Sequence, residues 1–253
     1  MDSQQDIKAT IKKYHLPPTP LIPNSPHPLL HYSNVLLTRH SSNTSPSSTA
    51  PPTANTIALR AHNLFSTNNW EPQWIYRYGP TQQAHYHSRV HECMVVLCGE
   101  ALITFGAADS EITPRDELVT TSPPAAKPSP AHGQGITLSA HAGDVFVIPA
   151  GIAHKTHHVT AGSEFALLTP GDGHGIIGRE GKASDREVGD FLASADLDGF
   201  VMFGAYPASS TEGWDFAVGG EDVGDFEHVW SVSVPERDPM FGDRDIGLVG
   251  LWA

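Results

Sequence analysis

The sequence has few basic residues relative to its acidic ones, and this shortage excludes two classes of partner. Lys and Arg total 15 against 28 Asp and Glu, which gives a formal net charge of −13. A groove for nucleic acid needs clustered cations that displace counterions from phosphate, and an acidic surface is repelled by anionic lipids. We therefore expect neither a nucleic acid nor a membrane as a partner.

Cysteine pairs and long apolar runs are also lacking. No run approaches the roughly 20 apolar residues of a membrane span, and the first residues lack the apolar region of a signal peptide. The two cysteines, Cys93 and Cys98, are five apart. This spacing directs side chains to opposite faces of a strand, which disfavours a disulfide. We expect a cytoplasmic protein with reduced thiols.

Short apolar or alternating segments dominate the chain after position 74, with glycine at several of the turns. They lie at 74–79, 91–98, 100–106, 136–141, 144–150, 153–159, 164–169 and 200–207. Many short strands at such spacing indicate an all-β sandwich or barrel.

The segments that break this pattern predict the domain organisation. Residues 1–56 are expected to form an N-terminal extension with a Ser/Pro-rich, low-complexity part, and residues 57–253 a single barrel. Long polar insertions interrupt the barrel at 107–135 and 170–199. Loops of this length are usually either functional lids or disordered, and the sequence does not decide between the two.

Short helices are expected in the extension and in the second insertion. Residues 1–16 favour a short helix, 29–37 an edge strand, and 57–70 a helix in preference to a strand. Ser184 and Glu187 have the spacing of a capping box, which predicts a helix after Ser184.

Histidines cluster just before the apolar run 94–97. His85 and His87 are two apart, so in a strand both imidazoles face the same side and can reach one metal ion. Glu92 lies an odd number of positions from both histidines, so in a continuous strand it would face the opposite side. A turn or bulge must intervene if its carboxylate is to join them. Ser88 and Arg89 are suited to that bend.

A fourth ligand can come from the segment 143–154. Two glycine-containing turns flank the buried strand there, and His154 opens the strand that returns. This return brings His154 to the level of His85.

Both segments resemble the signature motifs of the cupin family. The first motif is matched through Gly79, His85, His87, Glu92 and Gly99, and the second through Gly143, Pro149, Gly151 and His154. The one departure is His158, which stands where the family has Asn; that Asn is not a metal ligand. The flanking segments resemble the YjlB-like cupins, and the Ser/Pro-rich insertions suggest a fungal member.

The resemblance implies an all-β cupin double-stranded β-helix, a conical jelly-roll barrel. It also implies a divalent metal bound by His85, His87, Glu92 and His154. Three nitrogens and one oxygen suit Fe(II), which we favour, and also Mn, Ni, Co or Zn. Cupins commonly pair through edge strands, so a homodimer is expected.

Three functions stay open at this point. The favoured one is an Fe(II)-type oxygenase acting on a small organic molecule, with Glu92 able to act as a base. A redox-neutral Lewis-acid enzyme, such as a decarboxylase, isomerase or cyclase, is a close alternative. The third is a non-catalytic cupin that binds a small molecule.

Two further sets of residues are assigned expected positions. His158 lies four residues after His154, which predicts that both face inward and makes His158 a candidate catalytic residue. Trp214 and Asp215 are candidates for closing the mouth of the barrel.

Overall fold

The computed structural model describes residues 11–37, 51–112, 135–159, 164–210 and 213–253, and the backbone of 129–130. Thirteen strands lie within these ranges, and every ladder between them is antiparallel. The predicted all-β jelly roll is confirmed, with two sheets packed face to face around an apolar interior.

The larger sheet has seven strands in the order β1-β2-β8-β4-β13-β3-β10. Its strands are β1 (Ile11–Tyr14), β2 (Leu29–Tyr32), β3 (Trp70–Tyr78), β4 (Glu92–Cys98), β8 (Val145–Ile148), β10 (Ala166–Leu167) and β13 (Phe200–Pro207). The smaller sheet has the order β6-β7-β5-β9. Its strands are β5 (Glu100–Phe105), β6 (Ser129–Pro130), β7 (Ile136–His141) and β9 (His154–His157).

The other elements within the described ranges are a hairpin and four helices. The hairpin strands are β11 (Ile177–Gly178) and β12 (Gly181–Lys182). The helices are α1 (Ala54–Thr67), α2 (Asp185–Ser194), α3 (Phe226–Trp230) and α4 (Leu248–Leu251), and a 3-10 turn covers Asp109–Glu111. Within the described ranges, no helix has the length and apolar character needed to cross a bilayer.

Strand β4 explains how the large sheet buries both of its faces. Met94 and Val96 point into the interior between the sheets, whereas Cys93, Val95 and Leu97 point to the outer face. Both faces are covered, so the strand is apolar throughout rather than alternating. The two cysteines are free, as expected.

Helices α1 and α2 cover that outer face. Phe65 of α1 meets Phe203 of β13 edge to face at 5.4 Å, and Leu192 of α2 joins the same cluster. The predicted capping box of α2 is confirmed, because Ser184 and Glu187 each accept from the other's backbone N–H. The second insertion is therefore a hairpin and a helix packed on the barrel.

Two local predictions in the N-terminal segment are wrong. Residues 11–14 form β1 instead of helix, because pairing with β2 provides hydrogen bonds that outweigh a weak helical propensity. The strand at 29–32 is not an edge, because β2 lies between β1 and β8. Residues 1–10 of the predicted helix and most of the insertion 107–135 lie outside the described residues. The division at residue 56 stays a prediction.

Asp238 ties the C-terminal segment to the large sheet. Its carboxylate accepts from Tyr32 Oη at 2.5 Å and from the backbone N–H groups of Met240, Phe241 and Leu248 at 2.7–2.8 Å. The side chain is fully buried. One carboxylate therefore accepts hydrogen bonds from four buried donors.

We expect Asp238→Asn to destabilise the protein by about 2–5 kcal/mol, because the amide NH₂ cannot accept and leaves two buried donors unpaired. Chemical denaturation measures this free energy, with the exposed Asp243→Asn as the matched control. Equal stability of the two variants would contradict the role given to Asp238.

Candidate metal centre

Three histidines meet where the two motif segments are joined by backbone hydrogen bonds. His154 N–H donates to His85 O at 2.8 Å, and His85 N–H donates to His154 O at 3.2 Å. The bridge places the connection between β3 and β4 beside the start of β9. The chain bends at Ser88 and Arg89, as predicted, so that Glu92 can face the histidines.

A tight turn sets the position at which β9 begins. Gly151 adopts a φ of 86°, a left-handed conformation that glycine adopts readily, and its N–H donates to His87 O at 2.8 Å. A Cβ there would lie 2.7 Å from Val229 Cγ1. The turn thus needs glycine both for its backbone and for its packing.

The imidazoles of His85, His87 and His154 form a compact, buried group. Each offers one ring nitrogen, and these nitrogens lie within 4.8 Å of one another. The ring centroids of His85 and His154 are 4.3 Å apart. Such spacing is what a single bound cation requires.

Backbone carbonyls fix the tautomer of all three rings. His85 Nδ1 lies 3.2 Å from Gln83 O, His154 Nδ1 lies 3.4 Å from Ile152 O, and His87 Nδ1 bonds Asp215 O. A carbonyl only accepts, so each Nδ1 carries the hydrogen and each Nε2 keeps its lone pair. Metal-binding histidines are typically held in this way.

Glu92, the first residue of β4, places its carboxylate between two of the rings. Oε1 lies 3.3 Å from His87 Nε2, and Oε2 lies 3.3 Å from His154 Nε2. The carboxylate is 1% exposed, and its Oε2 finds no hydrogen-bond donor among the described residues. A buried oxygen without a donor is costly, so the donor set fits a divalent cation.

The pKa values follow from burial and from this one carboxylate. Burial lowers the pKa of His85 well below its usual value, and it lowers that of His154. Burial also opposes protonation of His87, but Glu92 outweighs it and raises the His87 pKa. For Glu92, burial is outweighed by His87 and His154, and its pKa falls to about 2. The carboxylate is therefore ionised, and a positive charge is favoured beside it.

Tyr206 is a site residue that sequence reasoning missed. Its hydroxyl donates to Glu92 Oε1 at 2.7 Å, accepts from Trp74 Nε1 at 3.1 Å and lies 3.3 Å from His87 Nε2. The sequence could have identified Tyr206. It lies four residues after the inward-facing Met202 in β13, and alternate residues of a strand face the same side.

His158 does not join the cluster, so the predicted inward orientation is wrong. Strand β9 ends at His157, and His158 is exposed with a φ of 52°, so the alternation breaks there. His91 also lies outside the group, although it is buried. Its Nδ1 accepts from Ala150 N–H at 3.0 Å and so secures the turn before β9.

Comparisons with known proteins identify the fold. Residues 75–177, somewhat less than half of the chain, match the cupin family model. The fold is a cupin jelly roll. No curated protein matches the chain.

Several solved structures resemble the chain weakly. A mutant of oxalate decarboxylase OxdC from Bacillus subtilis shows 13% identity over 58% of this chain and 24% of its own, with a TM-score of 0.27. The 11S globulin of Wrightia tinctoria shows 9% identity over 57% and 22%, with a TM-score of 0.26. Hydroquinone 1,2-dioxygenase PnpCD shows 10% identity over 68% and 84%, with a TM-score of 0.24. The chain spans about a quarter of that decarboxylase.

We expect His154→Ala to raise the dissociation constant for Zn(II) by more than about 100-fold, because losing only an outer partner of a ligand already costs about 10–100-fold. Calorimetric titration of the metal-stripped protein measures it. His158→Ala is the matched control and should bind like the wild type. Unchanged affinity in His154→Ala would show that the ion binds elsewhere.

We expect Tyr206→Phe to weaken Zn(II) binding by about 10-fold while the barrel stays folded, because Glu92 loses the donor that orients it. The same titration, with circular dichroism for folding, gives the result. Tyr14→Phe in β1 controls for removal of a hydroxyl elsewhere. Equal affinities in both variants would reduce Tyr206 to a packing residue.

Proposed function

We propose that this cupin is a metal-dependent enzyme acting on a small organic molecule, with the ion bound by His85, His87, Glu92 and His154. The observation that carries the proposal is the convergence of three buried Nε2 lone pairs. The Glu92 carboxylate beside two of them supports its place as fourth ligand. A bound cation would account for ring nitrogens that face one another beside this buried carboxylate.

The chemistry we favour is Fe(II)-dependent oxygenation. When bound, Fe(II) would supply a Lewis acid and a position for dioxygen, since four protein ligands leave part of an octahedral shell open. Fe(II) is thus the favoured cofactor, although Mn, Ni, Co and Zn accept the same donors. The homodimer and the cytoplasmic location stay predictions.

Glu92 is the residue that would accept a proton from a bound molecule, and Tyr206 holds it in position. Glu92 Oε2 has no donor within the described chain, so it is able to accept a proton from a bound molecule. Tyr206 donates to the other oxygen, Oε1, and so keeps Oε2 directed toward the histidines. Tyr206 itself stays protonated, because burial and the neighbouring Glu92 raise its pKa well above the usual value.

The decisive experiment compares Fe(II)-loaded wild type with His154→Ala in a mixture of small metabolites, in air and under argon. Mass spectrometry follows which compounds disappear. We expect at least one compound to disappear only in air and only with the wild type. If a compound disappears with the wild type also under argon, but not with His154→Ala, the reaction is redox-neutral Lewis-acid chemistry instead of oxygenation. A compound retained by the wild type without conversion would make the protein a binder, and identical profiles for the two proteins would refute a metal-dependent function.

A further inference from the structure

Two aromatic rings lie directly against the metal-binding histidines. Phe216 stacks on His85, with ring centroids 4.0 Å apart and planes 9° apart. Trp214 meets the His87 ring edge to face, at 5.6 Å and 70°. The two residues are separated by Asp215 alone, so a short segment after β13 presents both rings to the metal centre.

This segment is fixed to the loop that carries the ligands. The Asp215 carboxylate accepts from Ser88 N–H at 3.0 Å and from Arg89 N–H at 3.3 Å, and its backbone carbonyl bonds His87 Nδ1. Tyr86 and Ala217 exchange backbone hydrogen bonds of 2.8 and 2.9 Å. The two rings are thus held in place by several bonds rather than by packing alone.

The second insertion also contacts the indole of Trp214. Trp214 Nε1 donates to Gly173 O at 2.9 Å, and His174 stacks on the indole at 4.2 Å with planes 9° apart. Nearby, Tyr76 stacks on Phe165 at 5.0 Å. We call the residues Trp214, Phe216, His174, Tyr76 and Phe165 the aromatic rim.

The rim is apolar but partly open. Phe165 is 56% exposed and Phe216 46%, so both rings can be reached from solvent. The charged side chains on the segments 172–174 and 214–216 are the carboxylates Asp172 and Asp215. Such surroundings disfavour an additional anionic group on a ligand.

We propose that Trp214 and Phe216 bind the ring of a planar aromatic ligand, whose oxygen or nitrogen donors coordinate the ion held by the three histidines. This substrate class rests on the metal centre proposed above. Flat rings pair favourably with aromatic faces and edges, beyond what an aliphatic ring of similar size gains. The carboxylates favour a ligand whose only anionic group is the one that binds the metal.

Hydroxamates test the ring separately from the metal. Benzohydroxamate, cyclohexanecarbohydroxamate and acetohydroxamate share one metal-binding group and differ in what is attached to it. Calorimetry with the Zn(II)-loaded protein gives a dissociation constant for each. We expect benzohydroxamate to bind about 10-fold more tightly than the cyclohexane compound, in line with two aromatic contacts.

Trp214→Leu and Phe216→Leu should each reduce that preference to about threefold or less, and the double variant should abolish it. The ratio of the two dissociation constants is the readout, because a change in metal affinity affects both compounds alike. Phe226→Leu is the matched control, since Phe226 contacts Trp230 in α3. Its ratio should equal that of the wild type.

The two proposals fail in different ways. Equal binding of the aromatic and cyclohexane compounds by the wild type would overturn the aromatic ligand while leaving the metal centre intact. A preference that survives in the double variant would remove Trp214 and Phe216 from the proposal. Failure of all three hydroxamates, acetohydroxamate included, to bind the Zn(II)-loaded wild type would overturn the accessible metal centre itself.

Discussion

Three imidazoles and a carboxylate are buried together at one end of the barrel, and the surrounding structure must compensate for removing them from water. Each Nδ1 is satisfied by a backbone carbonyl, and Glu92 Oε1 by Tyr206. Glu92 Oε2 has no hydrogen-bond donor among the described residues, and it lies beside ring nitrogens that face one another. Because a buried oxygen without a donor is expensive, we propose that a cation occupies the space between this oxygen and the ring nitrogens.

The jelly roll is what brings these groups together. The candidate ligands come from the connection between β3 and β4, from the first residue of β4 and from the start of β9. Strands β4 and β9 belong to different sheets. The bridge between His85 and His154 and the Gly151 turn hold the two segments in register. Asp215 then attaches the segment after β13 to the same loop, so the ligands and the aromatic rim form one connected unit.

Much of this could be predicted from sequence, because strand parity and motif spacing are local properties. The spacing of His85, His87, Glu92 and His154 located the cluster, and the mismatch in parity at Glu92 located the bend at Ser88. The predicted inward orientation of His158 was wrong because side chains alternate only within a strand, and β9 ends one residue before His158. The same rule applied to β13 would have found Tyr206.

The rest depended on contacts between distant segments. Nothing near Phe216 in sequence indicates that it would stack on His85, 131 positions earlier. The strand at 11–14 was missed for a similar reason, since its structure comes from pairing with β2 and not from its own composition. Tertiary pairing overrides weak local propensity in such short segments.

X-ray absorption at the zinc edge of the Zn(II)-loaded protein tests the central claim most directly, because imidazole rings give a distinct multiple-scattering pattern. The account predicts three imidazoles with nitrogen at about 2.0–2.1 Å and at least one oxygen at about 2.0–2.2 Å. A first shell containing one imidazole or none would contradict it.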